Sequence, residues 1–412
     1  MASAYSVLAL AAIVSEFAVA TSVAWLNLRS LGTVPPPELA DVYDLERYKE
    51  AQIYARARAR FGLGSQAFEL LLLLGFWALS GFEALDRAVR SLGWPSVPSA
   101  LLFVFSLLAA QGLASLPFRL FNTFVLEQRF GFNRTSLGTF IGDALKGLAL
   151  GVALGAPGLA LVVWLFERTG SLAALYAWIA GTVLLLVLQF VAPAWLMPLF
   201  VRFTPLPQGE LRERITAYAR SVSFPLDNVF IVDGSRRSTK ANAFFTGFGR
   251  HRRIGLYDTL IARCSPDELT AIVAHEVGHY KKQHVSRGML LGIAQLGLTL
   301  FGFGLLMRTP QLYAAFGVSQ PSVYMGLVLC SLIYQPVALV LSLFMHARSR
   351  HNEFEADRFA VETTGMGGAL VSGLKRLASD SLSNLTPHAS YVMVHYTHPP
   401  LRERVRAIVA AS

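Results

Sequence analysis

"SPDELTAIVAHEVGHYKKQH", residues 265–284, runs almost directly into a long apolar segment, and its reading decides the fold. Ser265, Pro266, Asp267 and Glu268 form a capping box with proline at the first helical position, so a helix begins there. His275 and His279 are four apart and project from one face of that helix, about one turn apart. Two imidazoles so placed chelate one Zn²⁺. Glu276 lies beside them, placed to take a proton from a metal-activated water rather than to bind the metal. Gly278 leaves room beside the histidines, and Ala271, Ile272, Val273 and Ala274 give the helix a buried face. A hydrolytic metal motif therefore stands at the foot of residues 288–307, a run long enough to cross a membrane.

Six further runs of that kind, 4–28, 64–85, 98–118, 146–166, 172–198 and 322–345, make seven candidate spans. A chain of 412 residues with 54% hydrophobic and only 15% charged side chains reads as a membrane protein rather than two or three soluble domains. The first run has no lysine or arginine before it and exceeds the apolar core of a signal peptide, so it is expected to be a retained span. Seven spans put the termini on opposite sides. The connections 29–63, 119–146 and 199–287 and the tail 346–412 hold 6, 4, 14 and 8 of the 36 lysines and arginines, against only Arg87, Arg90, Arg168 and Arg308 in the alternate connections. The positive-inside rule then puts the amino terminus outside or in a lumen, and residues 199–287 and the tail in the cytoplasm. A bacterial inner membrane or the endoplasmic reticulum both suit this orientation. The net charge of +10 needs no nucleic acid, because orientation and anionic headgroups account for it. Cys264 and Cys330, expected on opposite sides of a span or within it, do not make a disulfide framework.

The expected organisation is 1–198, five spans with their cytoplasmic connections; 199–287, a cytoplasmic catalytic insert; 288–345, spans six and seven; and 346–412, a cytoplasmic tail. "RYKEAQIYARARARFG", residues 47–62, reads as a basic helix lying against or leading into the inner leaflet. Within the insert, "NVFIVDG", "ANAFFTGFG" and "RRIGLYDTLI" predict two or three antiparallel strands. Glu16, Glu69, Glu83 and Gln111 fall inside predicted spans, where polar groups are expensive and must face a partner or a watery interior. A catalytic zinc needs a third protein ligand and an open fourth position. The best source is "RSRHNEFEADRFA", residues 348–360, just after the seventh span. There Glu353 and Asp357 are four apart on one helical face, while Glu355 points elsewhere. Span six begins just after the histidine helix and span seven ends just before Glu353, so a transmembrane hairpin returns the ligands to a common point at the inner membrane face.

Four blocks, "SRRSTKANAFFTGFGRHRRIGLYDTLI", "AHEVGHYKKQH", "NEFEADRFA" and "YTHPPLRERV", resemble the successive signatures of the integral-membrane zinc proteases that include the type I CAAX prenyl endopeptidase and the smaller heat-shock membrane proteases. Upstream, "FVLEQRFGFNRTSLGTFIGDALKG" and "MPLFVRFTPLPQGELRERI" resemble the prenyl endopeptidase branch, as do the seven spans. The resemblance implies an all-α membrane protein with seven transmembrane helices around a chamber and a zincin-like α+β catalytic insert on the cytoplasmic side. It implies one Zn²⁺ per chain on His275, His279 and Glu353, with Glu276 as general base and Asp357 orienting a histidine ligand through its ring N–H. Asn242 and Ala243 match the segment that holds the substrate backbone at a strand edge. His398 and Arg404 match positions that steady the tetrahedral oxyanion.

The activity so implied is endoproteolysis, removing the last three residues after a prenylated cysteine. The expected partners are a peptide or protein substrate, prenylated at a C-terminal cysteine, and the lipid bilayer, with the chain acting as a monomer. Two alternatives share parts of this reading. A membrane quality-control protease would cut unprenylated substrates with the same site, and the Ala-, Leu- and Arg-rich composition, which suggests a bacterial source, speaks for it. A transporter or scaffold with a structural zinc would need a closed site of four ligands, often cysteines, and no cysteine lies near these motifs.

Overall fold

The computed structural model describes residues 4–248 and 251–412. The first half is a succession of long helices: α1 (Ala4–Arg29), α2 (Leu45–Ala78), the short α3 (Gly81–Arg90), α4 (Ser96–Phe121), α5 (Leu137–Arg168) and α6 (Ala173–Val191). A π-helical turn, Asn122–Glu127, prolongs α4, and irregular helical turns carry α6 to Leu199. Among the described residues six helices are long and apolar enough to cross a membrane, and a bent pair supplies a seventh span. The protein is thus an integral, multi-pass membrane protein.

The second expected span, 64–85, differs in its bounds. The basic run and the apolar run are one 34-residue helix, α2, started by Asp44, whose side chain accepts the Arg47 N–H. At 1.5 Å per residue such a helix is about 50 Å long and overshoots a hydrocarbon core of about 30 Å. Its amino-terminal part buries Tyr48, Ala51 and Tyr54 in a cluster with Phe130, Phe132 and Leu382. Glycines at 62 and 64 weaken a helix by about 1 kcal/mol each but do not stop it. The chain turns only at Ser80, where φ is 56°, with the Phe76 ring filling the space a side chain at Gly81 would need.

Four strands follow: β1 (Phe203–Pro205), β2 (Leu226–Val232), β3 (Ala243–Phe248) and β4 (His251–Tyr257), with α7 (Glu210–Ser221) between the first two. The sheet order is β1-β2-β4-β3. The β3–β4 pair is antiparallel as expected, with Ala243 opposite Leu256, whereas β2 and β4 run parallel. The antiparallel expectation fails there because the segment after β2 carries the chain past the place of β4 to the sheet edge, and β4 then folds back between them. The three-residue β1 shows no alternation in the sequence and was not foreseen. Gly249 of the "ANAFFTGFG" run lies outside the described residues.

The short α8 (Asp258–Ile261) leads to α9 (Pro266–Lys281), α10 (His284–Leu306), α11 (Pro310–Ala315), α12 (Val323–Ile333), α13 (Gln335–Thr364), α14 (Gly367–Asp380), α15 (Ala389–His395) and α16 (Leu401–Ala411). The helices α12 and α13 form the bent span, inclined at 58°, with a proline in the first turn of α13. Pro336 removes a donor and clashes with the preceding turn, so the helix restarts in a new direction. From there α13 runs unbroken for 30 residues until Gly365, at φ +66°, ends it in a left-handed cap. One core joins α7, the sheet, α9, α14 and α16 around Ile254, Leu256, Val273 and Leu370. This core fixes α9 from all sides.

Candidate metal centre and active site

The capping box at the start of α9 is formed as its sequence predicts. Ser265 Oγ accepts the Glu268 N–H at 3.2 Å, and Glu268 Oε2 accepts the Ser265 N–H at 2.8 Å. The same buried Glu268 accepts from Ser372 and from Arg376 of α14, so the cap also anchors α9 to its neighbour. About three turns on, α9 meets α13 at Gly278. A β-carbon there would stand 3.0 Å from Ala356 Cα and 3.1 Å from its carbonyl oxygen, closer than ordinary contact allows. The facing side of α13 buries Glu353, Ala356, Asp357, Ala360 and Val361, an i, i+3, i+4, i+7, i+8 stripe. Two carboxylates therefore occupy positions that an ordinary helix interface gives to apolar side chains.

These two helices bring His275, His279 and Glu353 together, with one ligand atom from each within 4.8 Å of the others. The imidazole Nε2 atoms are 3.1 Å apart, and Glu353 lies 3.2 Å from His279 Nε2 and 3.5 Å from His275 Nε2. A tetrahedral centre with bonds of about 2.0–2.1 Å sets neighbouring ligand atoms about 3.3 Å apart, so the spacing fits one small divalent cation. The chemistry of the donors agrees: Glu353 is 3% exposed, and its Oε2 is buried without a hydrogen-bond partner. Arg404 Nη1 comes no closer to it than 3.5 Å, and a buried carboxylate oxygen without a hydrogen bond is costly unless a cation sits directly against it.

Each imidazole is held from behind. His275 Nδ1 is 2.8 Å from Asp357 Oδ1. Arg404 in turn grips Asp357 with Nε and Nη2 at 2.8 and 2.6 Å, and its Nη1 stands 3.5 Å from Glu353 Oε2. Burial opposes charging His275, yet its bonds to Asp357 and Glu353 outweigh that and hold the imidazole up to about 9. A cation taking Nε2 must displace that proton, while Asp357 keeps the one on Nδ1. His279 is held by two residues that sequence reasoning missed. Its Nδ1 is 2.9 Å from His284 Nδ1, and His284 Nε2 is 3.0 Å from Glu355 Oε2. With Glu355 accepting from His284 Nε2, His284 Nδ1 is an acceptor, so His279 donates from Nδ1 and presents a free Nε2 lone pair. The signal lay inside the quoted stretch, but on a continuous helix a residue five after His279 points away. Gln283, at φ 59°, breaks the helix between α9 and α10 and turns His284 back.

The remaining candidates are distributed as follows. Glu276 is half-buried beside the candidate ligands, and burial pushes its carboxyl above the ordinary value against the pull of the two imidazoles. His398 is exposed, with Nε2 3.4 Å from Glu353 Oε1 and Nδ1 bonded to the Thr397 hydroxyl. Ala243 opens β3, the edge strand, which packs against α9, and Asn242 immediately precedes it. The Asn242 side-chain oxygen accepts the Ala243 N–H at 3.0 Å, and the Asn242 backbone carbonyl accepts the Tyr257 N–H. Arg404, unlike His398, is buried and committed to Asp357 by two of its three guanidinium nitrogens.

Comparison with known proteins bears on the whole chain. The sequence model described as "CAAX prenyl protease N-terminal, five membrane helices" matches residues 25–202, and that described as "Peptidase family M48" matches residues 205–412. The "CAAX prenyl protease 1 homolog" of Arabidopsis thaliana is 35% identical over 396 residues, 93% of each chain. The Homo sapiens protein of the same description is 33% identical over 424 residues, covering 90% of this chain and 88% of that one. The crystal structure of S. mikatae Ste24p superposes with a TM-score of 0.94 at 29% identity, over 99% of this chain and 100% of that chain.

Proposed function

The chain belongs to peptidase family M48, among the CAAX prenyl proteases, and from that premise we propose that this membrane metalloendopeptidase is a zinc enzyme removing the C-terminal tripeptide of prenylated CAAX proteins or peptides. The observation that carries the reading is the largely buried convergence of His275, His279 and Glu353, with Glu353 Oε2 lacking a hydrogen-bond partner and Glu276 alongside. Two imidazoles and one carboxylate with a fourth position open favour zinc over harder cations, one ion per chain. Bound there, zinc supplies Lewis acidity, lowering the pKa of a water and polarising the scissile carbonyl.

The protein's own residues do the rest. Glu276 takes the proton of the attacking water and passes it to the leaving amine, a role that a raised pKa suits. Asp357, itself clamped by Arg404, holds the His275 tautomer, and the Glu355–His284 pair holds that of His279. His398, exposed beside Glu353, and the remaining Nη1 of Arg404 are the donors proposed to steady the oxyanion. The free edge of β3 at Asn242 and Ala243 is proposed to receive the substrate as an added strand. No covalent intermediate forms.

The lysine and arginine distribution supports an amino terminus outside or in the lumen and a cytoplasmic active site, in a bacterial inner membrane or the endoplasmic reticulum. The proposed division is membrane helices in 1–198 and 288–345, with the catalytic insert 199–287 and the tail 346–412 completing the site. The enzyme is proposed to act as a monomer, without nucleic acid. The test is cleavage of two matched CAAX peptides, one farnesylated and one not, by purified protein in detergent, with Glu276→Gln as the blank. Chelator-sensitive removal of three residues from the farnesylated peptide alone supports the reading. Equal cleavage of both would leave the zinc chemistry and remove the substrate assignment, in favour of a quality-control protease.

A further inference from the structure

A cavity of about 810 Å³ lies away from the candidate metal centre, on the opposite face of the sheet. Side chains alternate along a strand: Val229, Ile254 and Leu256 pack into the core around α9, whereas Phe230 and Arg253 point the other way and line the cavity. Its other walls are the first turns of α5, from Ser136 to Lys146, and the segment Pro198–Phe203 that follows α6. The volume falls within the range of ligand pockets, about 300–1,000 Å³.

The lining carries five basic side chains, Lys146, Arg202, Arg236, Arg237 and Arg253, against two acids, Asp143 and Asp233. The acids are already engaged. Asp143 takes a two-pronged bond from Arg237 at 2.8 and 3.0 Å, and Asp233 accepts the Arg202 backbone N–H at 2.6 Å. Lys146 donates to the Leu199 carbonyl. Arg253 also pairs with Asp227, outside the lining, at 4.0 Å, so what remains is a net positive charge carried by Arg202, Arg236 and Lys146. Among the described residues no carboxylate pairs with the exposed side chains of Arg202 or Arg236, and Arg237 Nη1 is buried without a partner. The amino terminus of the 32-residue α5, capped by Ser136, adds its partial positive charge to the same wall.

Next to this charge the two wall helices become apolar and outward-facing. Leu145 and Leu148 of α5 are 61% and 65% exposed, and Trp195, after α6, is 75% exposed. Apolar exposure of that extent on spanning helices belongs in hydrocarbon, and a tryptophan at its border belongs at the headgroup level. A ligand that reaches both regions has an anionic head and an apolar tail. We propose that the cavity binds the phosphate headgroup of an anionic phospholipid, whose acyl chains lie along α5 and α6, so that a membrane lipid clamps the sheet against the ends of its neighbouring spans.

The test is native mass spectrometry of the purified, metal-loaded full chain in detergent, titrated separately with the anionic lipid POPG, the zwitterionic lipid POPC and inorganic phosphate. POPG is expected to be retained in preference to POPC. At about 1 kcal/mol per arginine near a headgroup, Arg202→Gln and Arg236→Gln each lower POPG affinity about fivefold, and together about 30-fold. Arg220→Gln, exposed at the end of α7, leaves it unchanged. Equal retention of POPG and POPC, or an equal loss from Arg220→Gln, overturns the site. Displacement of POPG by inorganic phosphate at matched concentration overturns the lipid as its ligand.

Discussion

Replacing Gly278 by alanine tests whether the spacing of two helices sets the metal centre. By propensity alone the change should stabilise α9, since alanine exceeds glycine by about 1 kcal/mol in a helix interior. The contacts say otherwise. The new β-carbon would lie 3.0 Å from Ala356 Cα, 3.1 Å from the Ala356 oxygen and 3.2 Å from Phe359 Cδ1. Carbon atoms rest about 3.5–4.0 Å apart, so α13 must retreat by roughly 0.5–1 Å. Overpacking of this kind costs about 1–3 kcal/mol, which cancels or exceeds the gain in propensity. Global stability should therefore change by no more than about 2 kcal/mol. Function should suffer more, because Ala356 sits between Glu353 and Asp357 and a shift of α13 carries both carboxylates away from the histidines. Metal sites tolerate about 0.2 Å in ligand distance, and a displacement near 1 Å costs about a hundredfold in turnover. The assay is kcat/KM on a CAAX peptide together with zinc affinity by chelator competition and thermal unfolding. Gly368→Ala on α14, where nothing lies within 4 Å, is the control and should keep full activity. If Gly278→Ala retains both zinc affinity and turnover within twofold, the close approach of α9 and α13 does not position the ligands and the reasoning fails.

Two further outcomes follow from the groups around the ligands. His284→Ala, and more mildly Glu355→Gln, should weaken zinc binding by about 10–100-fold without changing the fold, because His279 loses the partner that fixes its tautomer; unchanged zinc affinity in both variants would remove them from the site. Burial raises the Glu276 carboxyl above its ordinary 4.5, and only the ionised form accepts a proton, so kcat/KM should fall on acidification with a midpoint above 4.5 while bound zinc, measured at each pH, stays constant. An acid limb that instead tracks zinc loss would assign the titration to the ligands.

The parts of this molecule legible in its sequence are those whose causes are local. The start of α9 was readable because Ser265, Pro266 and Glu268 satisfy one another within a single turn, and the spans because the hydrocarbon demands long apolar runs whatever surrounds them. The grouping of His275, Glu276 and His279 was readable because one helix holds all three. What stayed hidden depends on backbone events that residue type signals weakly. Glutamine has no special preference for the left-handed conformation, yet Gln283 adopts it, and that one turn makes His284 a partner of His279. The parallel pairing of β2 and β4 depends on where the chain travels between strands, and neither strand's composition records that route. Arg404 shows the same limit in another form. The charged run around it offers Glu403 as a neighbour, but on α16 the two side chains diverge, and tertiary packing delivers Arg404 to Asp357, 47 residues earlier. An arginine buried with both prongs on a carboxylate that itself holds a proposed ligand histidine is expensive to assemble and gains little stability over an apolar replacement. The orientation it imposes on His275 accounts for its presence, which is why Arg404 is assigned to the proposed metal centre although its nearest chemical partner is an aspartate.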